Sequence, residues 1–263
     1  MSKRRFSNFK VRIAVVAATL IASGALALPL QTHLTTLRKD AGFNAPSLDL
    51  TLREQVGQLS FLAALSGFRS FVAAWDWIQA HIAWQDLEWG RMAGLIDTVT
   101  TLQPHSELYW DNGSWHMAWN AAVNARNNVD DEPSEILRLR NERQYVELGR
   151  SLLEKGILNN PDSQLLHQRL GLLLSQRAED HCAAADAYAA SAALPGAPPY
   201  VKRLAAYELA QCPEREQEAY RALRELYDLG TDERMPTVIT RLKELEEKLG
   251  IPPADRIGSA PNP

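Results

Sequence analysis

All seven tryptophans of this 263-residue chain fall between Trp75 and Trp119, and that crowding limits what the chain can become. An indole is rigid, covers a large area and needs a partner for its N–H, so a cluster of them marks either a packed core or a contact surface. They sit among apolar residues that recur every three or four positions, the period of a helix. Phe68, Phe71, Trp75, Ile78 and Ile82 form one stripe, and Trp77, Ala80, His81 and Trp84 form a second beside it. A helix with two apolar stripes is expected to touch neighbours on both sides. The next pattern runs from Leu87 through Met92, Ile96 and Val99 to Leu102, and Pro104 stops it. Ser106 opens a third helix, in which Trp115 and Trp119 lie one turn apart. Trp75, Trp115 and Trp119 lie on apolar stripes and are read as core. Trp77, Trp84, Trp89 and Trp110 are placed less regularly and are the candidates for a partner-binding surface, with Asn120 and Asn124 lining it.

The N-terminus constrains location. Lys3, Arg4, Arg5, Lys10 and Arg12 precede the run Ile13 to Leu30, which carries no charge. Residues 1–12 then read as a basic cytoplasmic tail and 13–30 as a transmembrane signal-anchor, which places the rest of the chain outside the cytoplasm, in a periplasm or its equivalent. A cleaved signal peptide is the rival reading, because Ala25-Leu26-Ala27 fits a small-x-small cleavage site. Residues 31–50, punctuated by Gly42 and Pro46, read as a tether. Thr51 and Glu54 form a capping box that starts a helix, with a break or kink at Ser66-Gly67. The net charge is −4, and with the five early cations set aside the remainder carries 23 basic and 32 acidic residues. That mildly acidic balance argues against a nucleic-acid partner.

Past an acidic loop, Pro133 precedes a helical pattern from Ser134 to Gly156. In it Arg and Glu alternate around Ile136, Leu137, Tyr145, Leu148, Leu152 and Leu153, the pattern of one buried and one solvated face. No glycine-rich phosphate loop, HExxH, CxxC or GxSxG occurs. His81, His105 and His116 lack the spacing of metal ligands on one helix. Asp76, Glu88 and Asp111 are most simply surface acids, although a carboxylate pair beside aromatic sugar platforms would suit glycoside chemistry. No cofactor, metal or catalytic residue is implied.

From Pro161 to Pro195 is 34 residues, the period of the tetratricopeptide repeat, a helix-turn-helix unit that stacks into a superhelix. Leu170-Gly171, Ala183, Ala190 and Pro195 resemble that family's signature, with His167 at its aromatic position and the large residue of the second helix displaced to Tyr188. The resemblance implies that Gly171, Ala183 and Ala190 sit where helices cross closely. A second unit would follow as Val201 to Cys212 and Glu214 to Leu229, with Ala205, Ala206 and Ala219 as close-contact positions. The tryptophan-rich segment offers a third. Pro236 to Leu249 would cap the stack with a single apolar face. Because consecutive helices of such a stack run antiparallel, the resemblance also implies that Cys182 and Cys212 share an edge, where export would oxidise them to a disulfide.

The expected protein is all-α: one transmembrane helix, then a tetratricopeptide-like solenoid over residues 51–249, then a disordered tail over 250–263. Its expected role is that of a non-catalytic scaffold holding a partner protein in a cell-envelope assembly or secretion complex. Two alternatives belong to other classes. One is a carbohydrate- or peptidoglycan-binding module, or an enzyme on such polymers, using a tryptophan-lined groove. The other is a bitopic subunit of a larger membrane complex, with the region Val56 to Trp84 resting on lipid.

Overall fold

The computed structural model describes residues 68–130 and 132–258. The basic tail, the apolar run, the tether, the Thr51 helix start, the Ser66-Gly67 break and residues 259–263 lie outside the described residues. Every regular element among the described residues is helical, and none of these helices is long and apolar enough to cross a membrane. The chain divides into two compact units between Gln103 and Pro104, within the stretch read above as one array.

The first unit contains α1 (Arg69–Gln85) and α2 (Trp89–Leu102), packed on each other. Their short connection is made by Leu87 in the left-handed region at φ 58°. α1 buries Val72, Ala73, Ala80 and Ala83, while α2 buries Met92, Ile96 and Val99. Small side chains on one helix admit large ones from the other, which keeps the interface close. The buried Thr98 and Thr100 satisfy their hydroxyls on the carbonyls of Gly94 and Ile96, at 3.0 and 2.8 Å.

That arrangement corrects the two-sided reading of α1. Phe71, Trp75, Ile78 and Ile82 are exposed, and the alanine-rich face is the one that packs. Periodicity identifies an apolar stripe, but α2 already brings the bulk to this interface, so the small face fits against it better than the large one does.

The second unit begins with α3 (Glu107–Trp115), a π-helical turn (His116–Ala121) and α4 (Ala122–Asn127), running on through right-handed helical backbone. The whole of this helical run lies against α5 (Glu135–Asn159). The contact is set by two glycines of α5. A Cβ at Gly149 would lie 2.7 Å from Ala118 Cβ and 2.9 Å from the Ser114 carbonyl oxygen, and one at Gly156 would lie 2.8 Å from Trp110 Cγ. Trp110, Ser114 and Ala118 are four residues apart and so form one helical row. At the π turn Arg177 Nε donates to the Ala118 carbonyl at 2.9 Å, and the same guanidinium pairs with Glu142 at 3.0 Å. An acceptor in the perturbed ladder is thereby satisfied from a neighbouring helix.

α5 has one buried and one solvated face as expected, but the buried row includes only some of the expected residues. Val146, Gly149, Leu152, Leu153 and Gly156 are buried, whereas Ile136, Leu137 and Leu148 are exposed. The buried row follows the glycines, because closest approach decides which side faces a neighbour.

α6 (Gln164–Gln176), α7 (His181–Ala193), α8 (Pro199–Leu209), α9 (Glu216–Asp228) and α10 (Pro236–Lys248) follow, each packed on the one before it. Their starts are local sequence events. Ser134, Ser163 and Asp180 accept from the backbone N–H three residues on, at 3.5, 3.2 and 3.0 Å, and Pro199 and Pro236 occupy first helical positions. A Cβ at Gly171 would lie 2.9 Å from the Tyr188 ring, so α6 and α7 cross there with the phenol laid on the glycine. Burial pushes that phenol up to about 12.

Ala219, Leu223, Leu226, Val238, Leu242 and Leu245 form the terminal core, and Ile257 packs against it. The fully buried Glu246 carboxylate accepts the Ile257 N–H at 2.8 Å. Residues up to Gly258 are therefore held in place, so the disordered reading of the tail from residue 250 does not apply to 251–258. A buried carboxylate with no apolar signature was not a legible anchor.

Substitution at the glycine contacts should separate by site. Gly156→Val should cost about 2 kcal/mol through overpacking against Trp110. Gly94→Ala, on α2 with nothing within 4 Å of the added carbon, should stabilise by about 0.5 to 1 kcal/mol through helix propensity. Denaturant unfolding of both variants measures the contrast.

Candidate functional site

α7, α8 and α9 enclose an open groove of about 480 Å³. Its existence follows from composition: α7 reads HCAAADAYAASAA, and Ala185, Ala189 and Ala192 recur along one side of it. Ala205, Ala206 and Leu209 of α8 and Ala222 and Leu226 of α9 complete the lining. Side chains of one carbon cannot reach across the space between helix backbones, so an apolar channel remains. Ala206 and Leu226 are buried, while Ala189 and Ala193 are exposed, which makes the former structural floor and the latter accessible wall.

The rim is charged. Arg215 donates from Nη1 to Asp186 Oδ1 at 2.8 Å, and from Nε and Nη2 to the two Glu218 oxygens, each at 2.8 Å. The fork ties α7 to the start of α9 across one end of the groove. The Glu218 hydrogen bond, then the Asp186 one, raises the Arg215 guanidinium. The bond from Arg215 in turn holds the Glu218 carboxyl below its ordinary value of 4.5. Lys202 on α8 and Glu225 on α9 stand exposed at the rim, and among the described residues neither has an ion-pair partner. The groove thus offers an apolar channel with one uncommitted cation, on α8, and one uncommitted anion, on α9.

One edge of α7 and α8 is cross-linked. Cys182, in the first turn of α7, and Cys212, just past α8, form a disulfide with Cα atoms 4.9 Å apart. Beside it Glu208 accepts from Ser175 Oγ at 2.8 Å and lies 2.7 Å from His181 Nδ1. This edge fixes the relative position of α6, α7 and α8, and so the width of the groove.

The tryptophans are distributed differently from the sequence reading. Trp110 and Trp89, proposed for a partner surface, are buried at 5% and 8% exposure, and Trp110 Nε1 donates to the Pro104 carbonyl at 2.8 Å. A neighbouring backbone carbonyl satisfies the indole, so an irregularly placed tryptophan becomes core. Trp77 and Trp84 are half-buried, the latter with the His81 ring 5.0 Å away. Trp75 and Trp115, read as core, are exposed. Trp115 and Trp119 are stacked, with centroids 4.5 Å apart and planes 13° apart. The π turn brings them into register and also places the Asn120 amide 3.0 Å from His116 Nδ1. Asn120 and Asn124 are half-buried beside the pair.

The remaining motif residues fall as follows. Gly171 is buried at a helix crossing, Leu170 and Ala183 are half-buried, and Ala190 is exposed, so Ala190 does not occupy a crossing. Pro195 follows the end of α7, and its carbonyl accepts from Gln164 at 2.6 Å. Glu88 is paired with Arg91 and Asp111 with Arg169, at 2.8 and 3.0 Å. Among the described residues no group of His, Cys, Asp and Glu is placed to hold a metal ion. The groove was not anticipated, although the alanines at helical spacing in α7 were the available signal.

Replacing both Cys182 and Cys212 by Ala should lower stability by roughly 3 kcal/mol, the value for a 30-residue loop. Denaturant titration with and without reductant checks this, since the double variant should no longer respond to reductant. Glu218 contributes fully above pH 4.5, and the contribution is lost as pH falls through its lowered folded value. Wild type should therefore lose slightly more stability than Glu218→Gln in an acid titration below pH 4.5, the difference being small because the pair is largely exposed. No protein-family model, no curated protein and no solved structure matches this chain.

Proposed function

We propose that this protein is a membrane-anchored, non-catalytic helical scaffold that holds a partner protein in a cell-envelope assembly. Its helical units would be stacked in the manner of tetratricopeptide repeats and lie on the extracytoplasmic side. The observation that carries the reading is the α7–α9 groove, an accessible apolar channel with Lys202 and Glu225 left for a ligand to pair with. A channel of alanines suits insertion of larger apolar side chains from a partner segment, and rim charges of both signs suit a segment that carries polar groups beside them. Consecutive packing from α6 to α10 and the close crossing at Gly171 are the features this arrangement has in common with a repeat stack. The Cys182–Cys212 disulfide accords with an oxidising compartment outside the cytoplasm.

The test is co-purification of tagged full-length protein from its native membranes in mild detergent, read by mass spectrometry. Wild type should bring down a stoichiometric partner. Ala189→Trp, which fills the accessible wall of the groove, should lose it while helicity and melting stay unchanged. Retention of the partner by a folded Ala189→Trp, or recovery of the protein alone after cross-linking, overturns the reading.

A second reading, glycan binding, is favoured by the stacked Trp115–Trp119 pair, whose outer indole is 44% exposed beside His116 and Asn120. An exposed aromatic plane edged by polar groups suits the apolar face of a sugar ring. On this reading Trp115→Ala should abolish retention on isolated peptidoglycan, whereas Ala189→Trp should leave it intact.

A further inference from the structure

The backbone is strained beside both ends of the disulfide. Among the described residues three other than glycine lie in the left-handed region, and two of them flank the bond: Glu179 at φ 54°, three residues before Cys182, and Glu214 at φ 66°, two residues after Cys212. A residue with a Cβ disfavours that conformation, which persists only where its surroundings impose it. Here part of the imposition is covalent. Cys182 lies in the first turn of α7 and Cys212 in the connection between α8 and α9, so the bond clamps that connection onto α7.

Arg215 is held by the same connection, its N–H 3.4 Å from the Cys212 carbonyl, and its fork to Asp186 and Glu218 closes one end of the groove. With the disulfide broken, the polar tie left between the connection and α7 is the Arg215–Asp186 pair. That carboxylate is 66% exposed, and an exposed pair holds little in water. α7 and α8 themselves stay together, because they pack on each other and His181 lies 2.7 Å from Glu208. Loss of the bond is therefore felt in the connection and not through the stack.

We propose that the Cys182–Cys212 disulfide is a redox latch on the Arg215 end of the groove, opened by a dithiol reductant; its effect on a bound partner rests on the scaffold reading. A thiolate of the reductant attacks the sulfur of Cys182, which is partly exposed where Cys212 is buried. The Cys182–Cys212 bond breaks as the new S–S bond forms, and Cys212 leaves as a thiolate that takes up a proton. The second thiolate of the reductant then closes on the first sulfur, and Cys182 leaves and is protonated in turn. Two electrons and two protons pass to the protein, and the dithiol becomes a disulfide. The two thiols cannot keep bonding distance. Their Cα atoms stand 4.9 Å apart and Cys212 is enclosed in the terminal core, so the separation falls on the backbone, at the turns where Glu179 and Glu214 gain by relaxing. The Arg215 fork loses its Asp186 arm, and that end of the groove opens.

The experiment is amide hydrogen exchange of the full chain in mild detergent, with and without dithiothreitol. The N–H groups of Gln211, Cys212 and Ala219 are hydrogen-bonded to the carbonyls of Glu208, Leu209 and Arg215. Reduction should speed their exchange by about tenfold or more, leave α6 and α10 unchanged, and be reversed by reoxidation. Cys182→Ser combined with Cys212→Ser should exchange fast at these positions in both conditions, and the reversible change in wild type decides the matter where that variant does not fold. Unchanged exchange after the bond is reduced, exchange that rises equally from α6 to α10, or a bond that dithiothreitol reduces only as the protein unfolds overturns the latch. Co-purification with and without dithiothreitol reads the consequence: a partner released on reduction supports the proposal, and a partner held equally in both states overturns it. Recovery of no partner in either state counts against the scaffold reading, while the exchange result still decides the latch.

Discussion

Helix spacing in the second unit depends on side chains that are almost absent. At Gly149 and Gly156 the α5 backbone comes so near the row Trp110, Ser114 and Ala118 that even a methyl group would collide with it. Gly171 does the same for Tyr188 between α6 and α7. Helix backbones brought this close gain dispersion contacts along their whole length, and the large residues can then be few and placed at the ends of the contact. Trp110 illustrates the economy: one indole lies across Gly156 while its N–H bonds to Pro104 within the same unit.

The groove is the other outcome of the same composition. Where a small residue faces a large one, as Gly171 faces Tyr188, the helices close up. Where small residues face one another across α7, α8 and α9, nothing fills the space between backbones, and a channel is left. Empty apolar volume weakens a fold, because its lining loses contacts on one side. The Cys182–Cys212 link and the Arg215 fork to Asp186 and Glu218 stand at the boundaries of this volume. They supply constraint where packing is thin, so the groove is maintained by covalent and ionic ties to a greater degree than the interior around Leu153 and Leu166.

Much of the helical order was legible because helix ends are local. Ser106, Ser134 and Pro236 stand at helix starts that the sequence marks, and the helix from Pro236 runs close to its expected span. Which side of a helix faces its neighbour was not legible, since that depends on residues distant in sequence. The α1 stripe of Phe71 and Trp75 has the periodicity of a core and lies exposed, because α2 takes the alanine face instead. Trp110 has irregular spacing and is core, because Gly156, on a helix two segments away, makes room for it. The cysteine pair was reachable only through an assumed antiparallel order of α7 and α8. The groove was not reachable at all by looking for large residues, since its signature is their omission.

Two accessible surfaces among the described residues differ in kind. The exposed face of α1 is apolar and built of large side chains, Phe71, Trp75, Ile78 and Ile82, which give it marked relief. The α7–α9 groove is shallow in apolar relief, because alanines present little shape, and carries Lys202 on α8 and Glu225 on α9. Charge of both signs across a plain channel suits a partner of different sequence, whose polarity has to be read.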